Sequence, residues 1–546
     1  MEIASVLLNR FFKILGHTYQ KVFGVYKYLL AHEKLLLVCL FTFTLVYNVP
    51  GILLLSTQNE PCSDGAYYYD EAKNILNGNG EVVYIKGIFF DDWEEHKGEV
   101  ETPSMSGPAY PYFVAFIISI SDSLLAIRIA NTIISAFTVV IYFLLVKNLV
   151  NKKIAFLSSL ILVFNPLYYM KGVALVTEPL FLFVFLLSFY FLLGTREGIS
   201  NNRNLILAGV FSGLAFLTRY VGLFLIVAVV IWLLFPRKKY KESFIYGLSS
   251  SAVILPWFFN NKMTTGYFFP YRHINTMGLY PTSGTGGGGI SFSPIGMFFL
   301  RGFNIYVFSV EISSILLFSI LFPFILIGIL KYIQDKNLSL FILFSGFTLL
   351  YHFNHYTTRY MLPLVPLLVP IGLMVMNDFV KQLGKISFFT VSLKPKHVLS
   401  FMLGLLFILS AVSTPFYLKE GYIDPYYQNN EAKYAWLEDN ALDDSVMFCS
   451  EPRHARFFTG LEVVRLFYNL NETTFAELIE EYNASFVVVE EKDSGRYNGN
   501  ELLSELYRNY TLGHSIGVGK YRIVLRHIED DSKNAILFYG VETIQG

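Results

Sequence analysis

Between residues 35 and 418 the chain passes repeatedly through apolar stretches that carry almost no charge. No other feature constrains the fold as strongly. A segment inside a bilayer must satisfy its backbone hydrogen bonds internally, so it is helical, and a spanning helix needs roughly 20 mostly apolar residues. The spacing predicts spans at Leu35–Leu55, Ile129–Val146, Ile154–Tyr169, Leu180–Leu193, Leu205–Leu217, Val221–Phe235, Phe244–Phe259, Ile312–Leu330, Leu338–Tyr351, Met361–Met376 and Val398–Leu418. Several are short, but their weakly charged flanks can extend into the interface. Composition agrees: 54% of residues are hydrophobic and 15% charged, where soluble proteins carry about 25% charged.

Basic residues set the orientation, because they are retained on the cytoplasmic side. Arg10, Lys13, Lys21, Lys27 and Lys34 precede the first span, so the N-terminus is expected inside. Alternate loops are then basic as well: Lys147, Lys152 and Lys153; Arg196 and Arg203; Arg237 to Lys241; Lys331 and Lys336; Lys381 to Lys396. About eleven spans place the C-terminal end outside. Residues 1–34 read as a cytoplasmic, interfacial amphipathic segment rather than a cleavable signal. Residues 35–418 form the membrane domain, and residues 419–546 a separate extracytoplasmic domain.

That last domain reads as a small α/β fold. Thr474 and Glu477 form a capping box opening a helix to about Tyr482. Ser485–Val489 and Tyr521–Leu525 read as strands, with a helix over Asn500–Tyr510 between them. Sequons at Asn471, Asn483 and Asn509 suit an outside location. Cys39 reads as packed in a span. Cys62 and Cys449 read as two unrelated thiols outside the membrane, with a disulfide between them the alternative. The charge balance of 42 basic and 42 acidic residues carries no nucleic-acid footprint. The run Gly284–Gly289 lacks the lysine and flanking strand of a phosphate-binding loop and reads as a flexible loop.

Chemistry is sought first among acidic residues just outside the membrane. Asp91, Asp92, Glu94 and Glu95 read as solvated loop charges. Asp64 differs: it opens a short amphipathic helix that would lie on the outer membrane surface, with Tyr68 and Asp70 further along it. Glu178, in the short turn Thr177-Glu178-Pro179, sits at the lip of a helix. Arg219 lies between two apolar runs, where an unpaired charge is costly.

These pieces resemble, in order, the GT-C glycosyltransferases, in particular the protein O-mannosyltransferase and aminoarabinose-transferase-like branch. The resemblance is carried by Asp64 with Tyr68, Pro108-Ala109-Tyr110-Pro111, Thr177-Glu178-Pro179, Gly213 to Arg219, Pro256-Trp257 with Asn261, and Arg359-Tyr360 with Pro363. It covers roughly residues 35–420. It implies a mainly α, polytopic GT-C fold with a long first outside loop of juxtamembrane helices. It also implies sugar transfer from a polyprenyl (dolichyl) phosphate carrier to a hydroxyl acceptor. Relatives often carry a Lys beside the proline-rich segment, where this chain has Ser106-Gly107. The Trp-Trp-Asp-Tyr-Gly signature of the oligosaccharyltransferases is missing, which argues against en bloc transfer to Asn.

On this resemblance Asp64 is the expected general base, supported by Glu178. Arg219 and Arg359, with Tyr360, are expected at the donor phosphate, since arginine grips phosphate bidentately. Tyr68, Asp70, His352 and His355 are expected around the acceptor; the two histidines also read simply as a hydrogen-bonded interfacial pair. The resemblance leaves metal dependence open, because members of the superfamily differ. A divalent ion, if one binds, has Asp64 and Glu178 as its hard-oxygen ligands. The competing readings are a transporter or flippase, for which internal repeats are expected and none is found, and a surface-anchored binding protein. On the inside–outside scheme, protease added to intact cells is expected to cleave within residues 419–546. A reporter fused after Gly546 that reads cytoplasmic overturns it.

Overall fold

The structure is a computed structural model. It describes residues 24, 28–56, 61, 63–83, 85–86, 102–103, 107–193, 201–265, 268, 312–354, 362–383, 430–466, 470–490, 501–507, 511–529 and 535–544.

The membrane part is built of helices α1 (Glu33–Ser56), α2 (Ser63–Leu76), α3 (Ala109–Ile120), α4 (Leu124–Leu149), α5 (Lys152–Val163), α6 (Pro166–Val173), α7 (Glu178–Leu193), α8 (Asn202–Thr218), α9 (Gly222–Leu234), α10 (Tyr240–Thr265), α11 (Ile312–Tyr332), α12 (Leu338–Asn354) and α13 (Leu364–Leu383). Within the described residues, the expected spans up to Met361–Met376 each overlap these helices. Val398–Leu418 lies outside the described residues. Among the described residues, α1, α4 and α13 are long and apolar enough to cross a membrane by length and composition, and α5 with α6 makes a fourth if taken as one bent span.

Two expectations need correction. The span Ile154–Tyr169 is not continuous: α5 and α6 meet at a 63° bend. Pro166 disfavours helix at Asn165 before it, and the Asn165 side chain instead caps α6 by accepting from the Tyr168 N–H at 2.9 Å. The second span starts earlier than Ile129, because Ser123 caps α4 through the Leu125 N–H. Ahead of it the apolar helix α3 occupies what the sequence reading left as loop.

Packing runs through α4, which contacts α1, α5 and α7; α7 contacts α8, and α8 contacts α9 and α10. The approach of α8 to α10 has a local cause. Gly209 and Gly213, four residues apart on α8, leave the backbone of α10 so near that a Cβ at either would lie 2.7 and 2.9 Å from the carbonyl oxygens of Tyr246 and Ser250. Small residues at this spacing are how helices associate where lipid offers no hydrophobic drive. Polar side chains reinforce the contact: the hydroxyls of Ser188, Ser212 and Tyr246 link α7, α8 and α10 at 2.7 and 2.5 Å.

The C-terminal part comprises helices α14 (Asn430–Asn440), α15 (Pro452–Thr459), α16 (Glu472–Glu481) and α17 (Glu501–Glu505). Its strands are β4 (Val446–Cys449), β5 (Glu462–Arg465), β6 (Ala484–Glu490), β7 (Ser515–Val518), β8 (Tyr521–Glu529) and β9 (Ile536–Thr543). Alternation along the strands supplies two cores. Phe448, Val487, Val489 and Tyr539 pack on one face with Phe475 and Leu478 of α16. Met447, Val488 and Phe538 pack on the other with Tyr434 of α14. The expected capping box is displaced: α16 starts at Glu472, and Asn471 is the cap, accepting from the Thr474 N–H at 2.8 Å. Asparagine caps better than threonine, so the helix begins earlier. The helix expected over Asn500–Tyr510 is described only at Glu501–Glu505.

The sheet is not confined to this part. Its order is β2-β5-β4-β6-β9-β8-β7, where β2 is Ile85–Lys86 of the first long loop. Strand β2 pairs in parallel with β5, Ile85 opposite Val463. Nearby, β1 (Val82–Val83) pairs with β3 (Thr102–Pro103). The first loop and the C-terminal part thus share backbone hydrogen bonds.

Candidate active site

Three sequence-distant pieces meet at one end of the bundle. The first is α2. Its amphipathic pattern buries Tyr67, Tyr68 and Ala72 against α3, where Tyr68 meets Tyr110 edge to face with ring centres 5.2 Å apart. Asp64 lies in its first turn, where the helix dipole favours a carboxylate. The second is the turn between α6 and α7. A Cβ on Gly65 would lie 2.9 Å from the Leu175 carbonyl, so Asp64 sits directly beside the segment leading to Glu178. Asn131 of α4 secures that turn, donating to the Ala174 carbonyl at 2.6 Å and to the Tyr110 hydroxyl at 2.9 Å. The third is the turn after α8, which presents Arg219.

Glu178 and Arg219 form an ion pair at 2.8 Å, with side chains only 4% and 11% exposed. Arg219 also donates to the Thr177 hydroxyl at 2.7 Å. Glu178 is therefore no solvated loop charge. A cavity of about 10 Å³ beside the pair is lined by Glu178, Phe181, Arg219, Val221, Leu362 and Pro363, among others. Leu362 and Pro363 close the motif that begins at Arg359, so three of the motifs border one space. Arg359, Tyr360 and His355 lie outside the described residues, and so does the side chain of His352, whose backbone ends α12.

Gly107 leaves no room for a lysine at its own position. A Cβ there would lie 1.9 Å from the carbonyl oxygen of Leu217. No side chain fits, and the close approach brings the proline-rich segment against the end of α8, two residues before Arg219.

Sequence reasoning missed the cations that meet the first-loop carboxylates. Helix α15 lies across α2. Its Arg453 donates to Asp64 Oδ1 at 3.1 Å, and its Arg456 to Asp70 Oδ1 at 2.8 Å. Both carboxylates are held by one helix, residues three apart on α15 reaching residues six apart on α2. The only local signal was two arginines at i, i+3 behind Pro452, and nothing in that spacing points to partners almost 390 residues away.

Two further carboxylates surround this core. Asp122, between α3 and α4, accepts from the Tyr69 hydroxyl at 2.6 Å and from Lys73, and these two partners hold its carboxyl below the usual range. Glu81 accepts from Trp257 Nε1 at 3.2 Å; burial raises its carboxyl against the lowering by that bond. Arg128 in the first turn of α4 is buried. Among the described residues no group of three or more His, Cys, Asp or Glu side chains converges to hold a metal ion. Cys449 is buried and Cys39 half-buried, while Cys62 lies outside the described residues.

Comparison with known proteins bears on the fold that carries these residues. The family model described as dolichyl-phosphate-mannose-protein mannosyltransferase matches residues 103–261. No curated protein matches the sequence. Among solved structures, ArnT from Cupriavidus metallidurans bound to undecaprenyl phosphate superposes with a TM-score of 0.59 at 10% identity, covering 92% of this chain and 97% of that one. The archaeal oligosaccharyltransferase AglB from Archaeoglobus fulgidus, in complex with an inhibitory peptide and a dolichol-phosphate, gives 0.55 at 13% identity, covering 88% and 73%.

Removing one member of a buried ion pair leaves the other charge uncompensated, at a cost of about 3–5 kcal/mol. Thermal unfolding of the purified protein is therefore expected to show strong destabilisation in Glu178→Ala and in Arg219→Ala. The double variant Glu178→Ala/Arg219→Ala is expected to lose less than the two single losses combined; strict additivity would mean that the pair is not coupled. The family-model match and the superpositions converge on the same answer: this chain is a membrane protein with the GT-C fold, resembling the glycosyltransferases built on it.

Proposed function

We propose that the protein is a membrane glycosyltransferase that takes a hexose or pentose from a polyprenyl-phosphate carrier and transfers it to a hydroxyl on a protein, lipid or glycan at the extracytoplasmic face. The observation that carries this reading is the placement of Asp64. It opens a short juxtamembrane helix and abuts the turn that bears the buried Glu178–Arg219 pair, within the GT-C fold. The polyprenyl phosphates bound by ArnT and AglB support a donor of that class.

The chemistry follows from the carrier. Its tail stays in the bilayer and its phosphate at the surface. The acceptor oxygen attacks the anomeric carbon, and the bond from that carbon to the phosphate oxygen breaks. The hydroxyl proton passes to the Asp64 carboxylate, and polyprenyl phosphate departs with the electron pair. Negative charge grows on the leaving phosphate, so cations fixed beside it lower the barrier. Arg219 and Arg359, with Tyr360, take that role. Glu178 fixes the Arg219 fork, and Tyr68, Asp70, His352 and His355 border the acceptor side. Should a divalent ion take part, Asp64 and Glu178 would supply oxygen ligands. The N-terminus is cytoplasmic and residues 419–546 form the outer domain.

The test is sugar release from labelled polyprenyl-phosphate hexoses and pentoses by the purified protein, with Asp64→Asn beside it. A positioned base contributes about 10²–10⁴-fold in rate. Turnover is expected to fall by that order in Asp64→Asn, with undecaprenyl phosphate affinity changed by no more than about threefold. Wild-type turnover in that variant removes Asp64 from the mechanism.

A further inference from the structure

The C-terminal part is joined to the first loop by more than a linker. Strand β2 of the loop extends its sheet, Phe457 of α15 meets Tyr69 of α2 with ring centres 5.4 Å apart, and two arginines of α15 reach two carboxylates of α2. The two ion pairs differ in a useful way. Arg456 with Asp70 is the shorter and drier, with side chains 15% and 9% exposed, and Arg456 also binds the carbonyl of Gly460 at the end of its own helix. Both ends of that pair are committed to structure. Arg453 with Asp64 is longer and more open, at 23% and 15%. It lies in the first turn of α15, where Pro452 occupies the first helical position and fixes the direction of entry.

We propose that Arg453 is a positioning residue for Asp64, supplied to the active site by the C-terminal part, while Arg456 anchors α15 to α2 through Asp70. A base must be ionised and held at a defined angle to take a proton. Asp64 sits at a helix start, where a carboxylate side chain has several staggered orientations open to it. Arg453 Nη1 bonds Oδ1 and selects one of them. The acceptor proton then passes to a carboxylate held in one orientation. Arginine suits this task because its planar fork stays charged and fixes direction, which a flexible ammonium does less well. The inference rests on Asp64 being the base.

The experiment uses the full-length protein as the sole copy in its own cells. The surface glycan lost on deletion of the gene is quantified by mass spectrometry for Arg453→Gln, Arg453→Lys, Arg456→Gln and Asp64→Asn. Binding of undecaprenyl phosphate to each purified variant and protease resistance of the C-terminal part are measured in parallel. Misplacing a reacting group by about an ångström can cost up to about a hundredfold. Arg453→Gln is expected to lower glycan transfer by at least about tenfold on that scale, with undecaprenyl phosphate affinity within about threefold and the C-terminal part still protease-resistant. Arg453→Lys is expected to recover part of the transfer, and Arg456→Gln to act by exposing the junction to protease. Transfer unchanged or raised in Arg453→Gln overturns the proposal; a rise would mean that Arg453 blocks the base instead of aiming it. Loss accompanied by protease exposure equal to that of Arg456→Gln overturns it as well, by making Arg453 a second anchor. Full transfer in Asp64→Asn overturns the reading of Asp64 itself, whereas loss in Asp64→Asn with retention in Arg453→Gln removes only Arg453.

Discussion

A carboxylate taken out of water needs a cation, and this end of the molecule is organised by that requirement. Asp64, Asp70 and Glu178 are each largely buried, and each meets an arginine within 3.1 Å. The desolvation cost of an isolated carboxylate is several kcal/mol, so none of these side chains could occupy its position unless the arginine did too. The pairs therefore act as constraints on the chain. Glu178 with Arg219 ties the start of α7 to the end of α8, and the two aspartates tie α2 to a helix contributed from the far end of the sequence.

The backbone carries the same logic to the elements around the site. Helix α2 is short and amphipathic, so it cannot span and must lie against something; α3 and the turn from Ala174 to Thr177 take its apolar side. That turn follows α6, which leaves α5 at a 63° bend just before Pro166. The pleat of β4, β6 and β9 fills both faces of the C-terminal sheet, which leaves its β5 edge to be covered by the first loop. Covering an exposed edge is a general need of sheets, and here it also brings α15 over α2.

Much of this was legible in the sequence, and the reason is locality. Apolar runs, Asp64 at the start of an amphipathic segment, and Glu178 and Arg219 at the ends of apolar helices are all patterns within a window of a few turns. Part of what escaped depended on long-range pairing. Arg453 and Arg456 look like ordinary charges on a polar helix, and Ile85-Lys86 is too short to stand out as a strand. The bend at Pro166 was masked by its apolar neighbours, which continue the hydrophobic run on both sides. The displaced cap of α16 was a competition between two capping residues three positions apart, and Asn471 accepts from the Thr474 N–H.

Gly107 shows how one position can close off an option and redirect the chemistry. With the Leu217 carbonyl where its Cβ would be, residue 107 can carry no cation, although a lysine near the proline-rich segment is common among the glycosyltransferases this chain resembles. The close contact instead sets the start of α3 against the end of α8 and so fixes where Arg219 emerges. On the proposed function the phosphate must then be held by arginines already engaged with carboxylates, together with Arg359. A phosphate arriving at Arg219 shares that fork with Glu178. Charge growing on the leaving oxygen strengthens its hold on the fork at Glu178's expense, so the interaction is worth more in the transition state than in the bound donor, which is the condition for it to raise the rate.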